Sequence, residues 1–375
     1  MPKIIHAADI HLDAPFSLCD VQKAQVRKNE LRGAFSSLIL FAKTEKADMV
    51  VLSGDVFDSG FVTKETTSLL LSQFASFPEC KFVIAPGNHD PYTQKSPYAK
   101  EVFPPNVYIF NEDRMQCFSF DDIGVDVYGF AYTSESCPVL PPFDAHALNR
   151  DRINLFVAHC DLNGHSTYCP ITTADLARSG FDYAALGHIH KGGDVGLAGA
   201  TYYAYSGCLE GRSFDECGLK GVIVCEFGKE GGRFSVKFAN RRLCRRHYER
   251  LSVEITGVAD QKELAERVRA AIVAAGYGTD TLLRVHLSGR VSPDSKLNAD
   301  ALDAQELGVF YLETENASLP TLDGEALKND ISVRGAFYRE LLPKLESGDE
   351  AERKLAAAAL RYGLAALDGD DVVDF

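Results

Sequence analysis

Five apolar segments in the first half of the chain each run into a cluster of Asp, Asn or His, and this repetition constrains the fold more than any other feature. Short apolar runs between turn residues are typical of buried strands. Ligand-binding side chains gather where the strands of a layered α/β sheet end, so these clusters predict a shared site. The segments end on Asp9 and His11 in "KIIHAADIH", Asp55 in "VVLSGD", Asn88 and His89 in "FVIAPGNHD", His159 in "INLFVAHC", and His188 and His190 in "YAALGHIH".

The order of strand and helix patterns predicts an α/β fold of two stacked sheets flanked by helices. Helical patterns at 20–46 and 63–77 separate the first three apolar runs, and Asp20 is placed to cap the first helix. Strand patterns dominate from about residue 106 to 245. A chain of 375 residues is long enough for further domains. We therefore expect a catalytic domain at 1–245, a small α+β domain at 246–320 and a helical tail at 321–375.

Charge and cysteine content narrow the class of protein. The net charge of −14 argues against a protein that coats nucleic acid by bulk electrostatics. The ten cysteines form no CxxC pair, which favours reduced thiols in a cytoplasmic protein over a zinc–thiolate site. The sequence shows neither a signal peptide nor an apolar run of membrane-spanning length, so we expect no membrane association.

The polar clusters together offer two Asp, one Asn and four His side chains as candidate metal ligands. Mixed oxygen and nitrogen donors without thiolate suit a six-coordinate divalent ion, with Mn as the first expectation and Fe or Zn as alternatives. Seven ligands exceed one coordination sphere, so we expect two ions that share a carboxylate, an arrangement suited to phosphoryl displacement. Each cluster alone has an ordinary alternative, such as a turn or a core histidine. The ordered set of five favours a site.

The ordered set resembles the calcineurin-like metallophosphoesterase superfamily. The resemblance implies one metal held by Asp9, His11, Asp55 and His190, and a second held by Asp55, Asn88, His159 and His188. It also implies that His89 donates a proton to the leaving oxygen or stabilises its charge, with Asp90 placed to orient His89.

Further motifs are similar to those of SbcD-type DNA repair exonucleases, the metallophosphoesterase partners of SMC-like ATPases. They are "HAADIHLDAPF", "LSGDVFDSG", "IAPGNHDPY" and "YSGCLEGRSFDECGLKG", and the likeness weakens after about residue 240. The resemblance implies a DNA exonuclease in DNA repair, a coiled-coil ATPase partner and a capping role for 246–320. Asp58 stands where some branches carry His, which leaves the balance of exonuclease and endonuclease action open. The rival functions are hydrolysis of small phosphoesters on the same site and a non-catalytic scaffold.

Three outlying features suggest contacts with partners. The arginines of "RRLCRRHYER", Arg241, Arg242, Arg245 and Arg246, could bind a DNA backbone or could cover a strand edge. The run Leu69–Leu71 could form a homodimer contact or pack on the sheet. An apolar stripe at Leu355, Ala359, Tyr362 and Ala366 predicts a docking face for the ATPase, or a face that docks on the chain's own capping domain.

Overall fold

A computed structural model describes residues 1–17, 20–59, 61–142, 148–230, 233–292, 295, 297–321 and 323–368 of the chain. These residues form two compact units, Met1–Tyr248 and Glu249–Phe375. Both predicted segments after the catalytic domain, 246–320 and 321–375, lie almost wholly in the second unit. Their separation from each other and the capping role stay predictions. Residue 322 and residues 369–375 of the predicted tail lie outside the described residues.

Two six-stranded sheets form the first unit, as the alternation of strands and helices predicts. The first sheet has the strand order β14-β13-β1-β2-β3-β4, and the second has the order β11-β12-β10-β7-β6-β5. The strands of the first sheet are β1 Lys3–Ala7, β2 Met49–Leu52, β3 Lys81–Ile84, β4 Val107–Ile109, β13 Gly221–Glu230 and β14 Arg233–Arg242. Those of the second are β5 Gln116–Phe120, β6 Val125–Gly129, β7 Ile153–His159, β10 Tyr183–Gly187, β11 Gly196–Ala198 and β12 Thr201–Tyr205. A two-residue pair, β8 Asp161–Leu162 and β9 Pro170–Ile171, follows β7.

Helices cover the outer faces of this sandwich. They are α1 Val21–Glu45, α2 Lys64–Ala75, α3 Pro97–Lys100 and α4 Thr173–Ser179. The Asp20 carboxylate accepts a hydrogen bond from the backbone N–H of Lys23, which confirms the predicted cap of α1. Alternate residues of β1 face opposite ways: Ile5 packs with the helices, whereas Ile4 packs between the two sheets. The expectation of an α/β fold with two stacked sheets flanked by helices is therefore confirmed.

One histidine of β1 belongs to the core between the sheets and not to the polar site. His6 is fully buried, and its Nδ1 lies 2.8 Å from the hydroxyl of Tyr183 on the second sheet. Burial lowers the pKa of His6 from 6.5 to about 3, because the charged imidazolium would lose its hydration. His6 is therefore a neutral histidine over the physiological pH range.

The second unit begins with a small sheet and ends with three helices. Its elements are β15 His247–Glu254, α5 Gln261–Ala275, β16 Thr281–Ser288, β17 Arg290–Val291, a 3₁₀ turn Ala299–Ala301, β18 Tyr311–Asn316, β19 Leu319–Pro320, α6 Gly324–Asn329, α7 Val333–Leu345 and α8 Glu350–Asp368. Strands β15, β16 and β18 form one sheet, with β16 and β18 parallel. Among the described residues, no helix has the length and apolar character needed to cross a membrane.

The side chains that the last helix buries are not those of the predicted apolar stripe, so docking of an ATPase on that stripe stays a prediction. Among the α8 side chains that the structure describes, Ala356, Leu360 and Leu364 are buried, and the last two pack with Leu327 and Tyr338 of α6 and α7. Leu355, predicted to lie on the stripe, is 73% exposed. The helices of the tail thus form a small core of their own, and Leu355 of the predicted stripe lies exposed outside that core.

Candidate metal centre

The predicted ligands follow strands that run parallel within each sheet. Strand β2 pairs with β1 and β3 in parallel, and β7 pairs with β10 in the same way. The carboxyl ends of the strands in each sheet therefore meet at one edge, where Asp9, His11, Asp55 and His159 are each at most 1% exposed. The sandwich brings those two edges together.

One group of ligand atoms, which we name site A, consists of Asp9, His11, Asp55 and His190. The Nε2 atoms of His11 and His190 lie 3.1 Å apart. The Asp9 Oδ1 atom lies 3.7 Å from His190 Nε2, and the Asp55 Oδ2 atom lies 3.6 Å from His11 Nε2. Two carboxylates and two imidazoles thus converge on one point, as ligands of a single cation do.

A second group, site B, contains Asp55, Asn88, His159 and His188. His159 Nε2 lies 2.9 Å from Asn88 Oδ1 and 3.3 Å from Asp55 Oδ2. The ring of His188 lies 5.2 Å from the ring of His159, and its backbone N–H donates to the Asp9 carboxylate at 3.1 Å. Because Asp55 Oδ2 faces both His11 and His159, Asp55 stands between the sites as a shared carboxylate would.

The ligand loops adopt backbone conformations that are rare outside glycine. Asp9, His11 and Asp55 have φ angles of 50°, 51° and 52°, and His188 has a φ of 103°. Each such residue costs on the order of 1–3 kcal/mol, a cost that folded proteins tolerate chiefly at functional sites. Gly87 is required for a different reason: a Cβ atom there would lie 2.2 Å from Asp55 Oδ1. The loops are therefore shaped around the shared carboxylate.

The charges of the two sites are strongly coupled. Burial alone would raise the pKa of Asp55, but His159, His11 and His89 together outweigh burial and hold that pKa below its ordinary value. Burial would likewise lower the pKa of His159, yet the Asp55 carboxylate raises it to about 9. A cation bound by Asp55 and His159 would compete with a proton for the same donor atoms.

The donor set fits two divalent cations. Oxygen and imidazole nitrogen atoms supply all seven candidate ligands. Two groups of three have ligand atoms close enough to hold an ion: Asp9, His11 and His190 in site A, and Asp9, Asp55 and His159 between the sites. Such donors suit Mn and Fe and accommodate Zn, so the residues do not select one of these metals. Bound there, two ions would stabilise the charge that develops on a phosphoryl group.

His89 lies at the exposed side of the ligand cluster. Its backbone N–H donates to Asp55 Oδ1 at 3.0 Å, and its Nδ1 lies 3.0 Å from the backbone carbonyl of Asp58. With Nδ1 held in this way, Nε2 is the nitrogen left for a substrate.

The orienting role predicted for Asp90 is not supported by its contacts. The carboxylate is 2% exposed, and none of its described hydrogen bonds goes to the His89 side chain. It accepts instead from the backbone N–H groups of Asp55, Val56, Phe57 and Gly87 and from the Tyr98 hydroxyl. Burial and the Asp55 charge raise the pKa of Asp90, and the hydrogen bonds from Tyr98, Gly87 and Phe57 oppose the rise by stabilising its charged form. Asp90 therefore shapes the Asp55 loop.

Sequence reasoning missed two residues that contact the ligands. The Glu216 carboxylate lies 2.6 Å from His190 Nδ1, and Arg212 pairs with Asp58 at 2.7 Å. Burial opposes the shift, but the bond to His190 and the charge of Arg212 lower the pKa of Glu216 to about 2. Both residues lie in "CLEGRSFDECG", a loop segment without apolar periodicity. The feature of the sequence that could have identified them is the group of charged residues beside a glycine turn in this segment.

The four arginines predicted to bind DNA differ in their surroundings. Arg246 is 13% exposed, and its guanidinium pairs with Glu30 at 2.7 Å, so DNA binding by Arg246 stays a prediction that would have to compete with this ion pair. Arg245 is 71% exposed and lies 3.3 Å from the same carboxylate. Arg241 and Arg242 are exposed at the end of β14, an edge strand. Basic side chains on an edge also discourage pairing with other strands.

Comparison with known proteins places this geometry in a family. The profile of the calcineurin-like phosphoesterase family matches residues 2–192, just over half of the chain. An uncharacterized metallophosphoesterase of Bacillus subtilis, YhaO, is 30% identical over 70% of this chain and 66% of its own length. The DNA double-strand break repair protein Mre11 of Aeropyrum pernix is 22% identical over 91% of this chain and 94% of its own.

A second Mre11, from Saccharolobus solfataricus, is 25% identical over 61% of each chain. The chain thus spans slightly less than two thirds of the Bacillus and Saccharolobus relatives. The extent of the family match and the convergent carboxylates and imidazoles lead to the same conclusion. The chain belongs to the calcineurin-like phosphoesterase family, whose members hydrolyse phosphoester bonds at a dimetal site.

Proposed function

We propose that this protein is a metal-dependent DNA phosphodiesterase that acts in DNA repair. It would act as an exonuclease and could also act as an endonuclease. The observation that carries the proposal is an exposed His89 beside seven candidate metal ligands, four of them buried (Asp9, His11, Asp55 and His159) and three partly exposed (Asn88, His188 and His190). A non-catalytic scaffold has no need for this set. Likeness to two proteins named as DNA double-strand break repair proteins supports DNA as the substrate.

The chain's own residues would divide the work as follows. The site A and site B side chains would hold two divalent ions, which supply Lewis acidity to the phosphate. Asp55 would keep the two positions at a fixed separation, because its loop is fastened by Asp90. His89 would keep one proton on Nδ1 against the Asp58 carbonyl and give the proton on Nε2 to the leaving oxygen.

DNA contact outside the metal centre would come from exposed arginines. Arg241, Arg242 and Arg245 are exposed, whereas Arg246 is held by Glu30. Each phosphate contact adds to the salt dependence of binding. Changing Arg241 and Arg245 to Gln should therefore weaken binding to all DNA sequences alike and flatten the salt slope. Arg246→Gln serves as the comparison, with little effect on that slope. An unchanged slope in the double variant would mean that these arginines only protect the strand edge and do not contact DNA.

Hydrolysis of a small phosphoester is the second candidate, because the metal centre serves both reactions. End-labelled duplex DNA and p-nitrophenyl phosphate, each supplied with Mn²⁺, Fe²⁺ or Zn²⁺, should separate the two. We expect DNA cleavage that is greatest with Mn²⁺ and abolished by His188→Ala. Turnover of the monoester without cleavage of DNA would establish the small-molecule reaction instead.

We further propose a cytoplasmic location and an SMC-like coiled-coil ATPase as partner. All nine cysteines in the described part of the chain are free thiols, which suits a reducing compartment. Leu355 and Leu367 of α8 are 73% and 45% exposed and lie outside the small core of the tail. Leu355→Lys should reduce co-purification with such an ATPase and leave DNA cleavage by the isolated chain intact. Equal recovery of the ATPase with the variant would reject this docking face.

A homodimer through α2 is a further part of the proposal. Leu70 is 1% exposed and packs with Phe74 in the core, while Leu69 and Leu71 are partly exposed. Of the three leucines in this run, Leu69 and Leu71 are therefore the ones that could contact a partner copy. Leu69→Lys with Leu71→Lys should convert a dimer to a monomer in sedimentation analysis, and a wild-type chain that is already monomeric would end the idea.

A further inference from the structure

Both imidazoles of site A have a carboxylate at their second nitrogen. His190 Nδ1 lies 2.6 Å from Glu216 Oε1, and His11 Nδ1 lies 3.1 Å from Asp58 Oδ1. A carboxylate at one ring nitrogen holds a proton there and turns the lone pair of the other nitrogen towards a metal. The contact to His190 therefore fixes the tautomer in which Nε2 is free for the cation. The Asp58 contact lacks hydrogen-bond geometry, so its charge alone favours the same tautomer of His11.

Arg212 joins these two carboxylates. Its Nη1 lies 2.7 Å from Asp58 Oδ1, and its Nη2 lies 3.4 Å from Glu216 Oε1. Its backbone N–H also donates to Glu216 Oε2 at 2.8 Å. Arg212 Nη2 is 3.2 Å from His190 Nδ1, farther than Glu216 is, so the carboxylate is the partner of the ring proton. One guanidinium thus sets the positions of both supports.

The loop that carries Arg212 and Glu216 is itself fastened to the fold. Glu210, fully buried, pairs with Arg27 of α1 at 2.9 Å. The same Arg27 guanidinium donates to the carbonyl of Gly211 at 3.0 Å. Two buried contacts therefore fix the backbone next to Arg212, and the guanidinium reaches the ligands from a rigid base.

Site B is supported differently. His159 Nδ1 lies 3.1 Å from the backbone carbonyl of Ser53, a neutral acceptor that belongs to the strand end. No arginine is bonded to His159 among the described contacts. The two metal positions thus differ in kind: charged side chains from two loops support one, and the main chain supports the other.

A third cation does not explain the Asp58 cluster. His11, Asp58 and His89 have ligand atoms close enough to hold an ion. The Arg212 Nη1 atom, however, lies 2.7 Å from the Asp58 oxygen that faces His11, so the guanidinium already supplies the positive charge there. A metal at that point would compete with a bound arginine.

We propose that Asp58, Arg212 and Glu216 form a positioning relay that sets the metal affinity of site A without setting that of site B. The inference rests on the ligand assignment in the proposed function, but not on the choice of substrate. Loss of such supporting contacts typically costs about 10–100-fold in metal affinity. The relay therefore predicts that substituting a residue that contacts neither ion will change the affinity of one metal site and leave that of the other unchanged.

The test measures Mn²⁺ bound at equilibrium over a range of free Mn²⁺, for the wild-type chain and Arg212→Gln. Arg152→Gln is the matched control, because Arg152 is 18% exposed, against 20% for Arg212, and also pairs with two carboxylates, those of Asp126 and Asp121. We expect two ions in wild type and control. In Arg212→Gln one ion should bind as before and the other about 10–100-fold more weakly. Arg212→Lys should recover part of that loss.

A second arm identifies the ion that is weakened. His188→Ala removes a site B ligand, so its remaining ion should sit in site A, and adding Arg212→Gln should then weaken that ion. Glu216→Ala and Asp58→Asn provide independent breaks in the relay, and thermal unfolding of every variant with metal removed checks that it folds. Electron paramagnetic resonance should show loss of Mn–Mn coupling in the relay variants.

Three results would overturn the inference. Two ions of unchanged affinity in the folded relay variants would show that the relay does not support the metal. An equal loss of affinity at both sites would show that the three residues support the whole metal centre and not site A alone. A wild-type chain that binds fewer than two ions would reject the ligand assignment, and with it the proposed function as well as the relay.

Discussion

The Asp90 carboxylate offers the sharpest test of how the metal centre is built. Its Oδ2 atom accepts from Val56 N at 2.7 Å, Phe57 N at 3.1 Å and the Tyr98 hydroxyl at 2.6 Å. Its Oδ1 atom accepts from Gly87 N at 2.7 Å and Asp55 N at 3.2 Å. Asp90→Asn keeps the size of the side chain but replaces one oxygen with a donor. Whichever way the amide turns, its NH₂ group faces at least two buried donors.

The size of the effect follows from those lost bonds. A buried donor left without a partner costs about 1–3 kcal/mol, so two of them should lower the free energy of unfolding by about 2–6 kcal/mol. The Asp55 loop should also shift, because three of the five donors are its own N–H groups. We therefore expect Asp90→Asn to lose metal as well as stability. Tyr98→Phe removes one donor only, so it should cost about 1 kcal/mol and keep both ions.

Urea unfolding of the chelated proteins and metal analysis of the loaded ones measure the two effects separately. The competing idea, that Asp90 orients His89, makes the opposite prediction. Under it, Asp90→Asn would keep its stability and its metal and lose only the cleavage step. That pattern would refute the assignment of Asp90 to the Asp55 loop.

Three further predictions concern single residues. Asp55→Asn should lose metal from both sites, since Asp55 Oδ2 faces His11 and His159, and metal analysis showing one site intact would contradict the sharing. His89→Ala should keep both ions yet slow DNA cleavage about 10²–10⁴-fold, and slow bis-p-nitrophenyl phosphate less because its leaving group needs little protonation; equal losses would exclude the proton-donor role. Between pH 7 and pH 5 the unfolding free energy of the wild type should fall by about 2 kcal/mol more than that of His6→Gln. Below pH 6.5 the histidine takes up a proton in the unfolded chain, whereas the buried His6, with a pKa of about 3, does not. An equal fall in both proteins, measured by urea unfolding at each pH, would refute this.

The sequence was most informative where polar residues directly follow apolar runs. Asp9, Asp55 and His159 could be placed at one site because parallel strands end at a common edge. The role of Asp90 could not be predicted this way. Its partners at Val56 and Phe57 lie 34 and 33 residues away, and they are backbone groups that no side-chain pattern reveals.

Long-range ion pairs and alanine-rich helices set the other limits. Arg246 looked available for DNA, but its partner Glu30 lies 216 residues earlier in the chain. Arg212 and Glu216 lie in a loop without periodicity, so only the folded chain shows that they meet the ligands. In α8, alanines occupy several faces, and the buried line through Leu360 and Leu364 could not be told from its neighbour by spacing alone.

The origin of the ligands in two separate sheets has a mechanical consequence. His11 follows a strand of the first sheet and His190 a strand of the second, 179 residues later. An ion held by both would act as a removable cross-link that closes a very long loop, much as a disulfide does. The metal would then clamp the layers of the sandwich at their catalytic edge, in addition to the apolar packing and the His6–Tyr183 contact that join the sheets elsewhere. A chelator would thus act on this enzyme as a reducing agent acts on a disulfide-bonded one, loosening its architecture together with its chemistry.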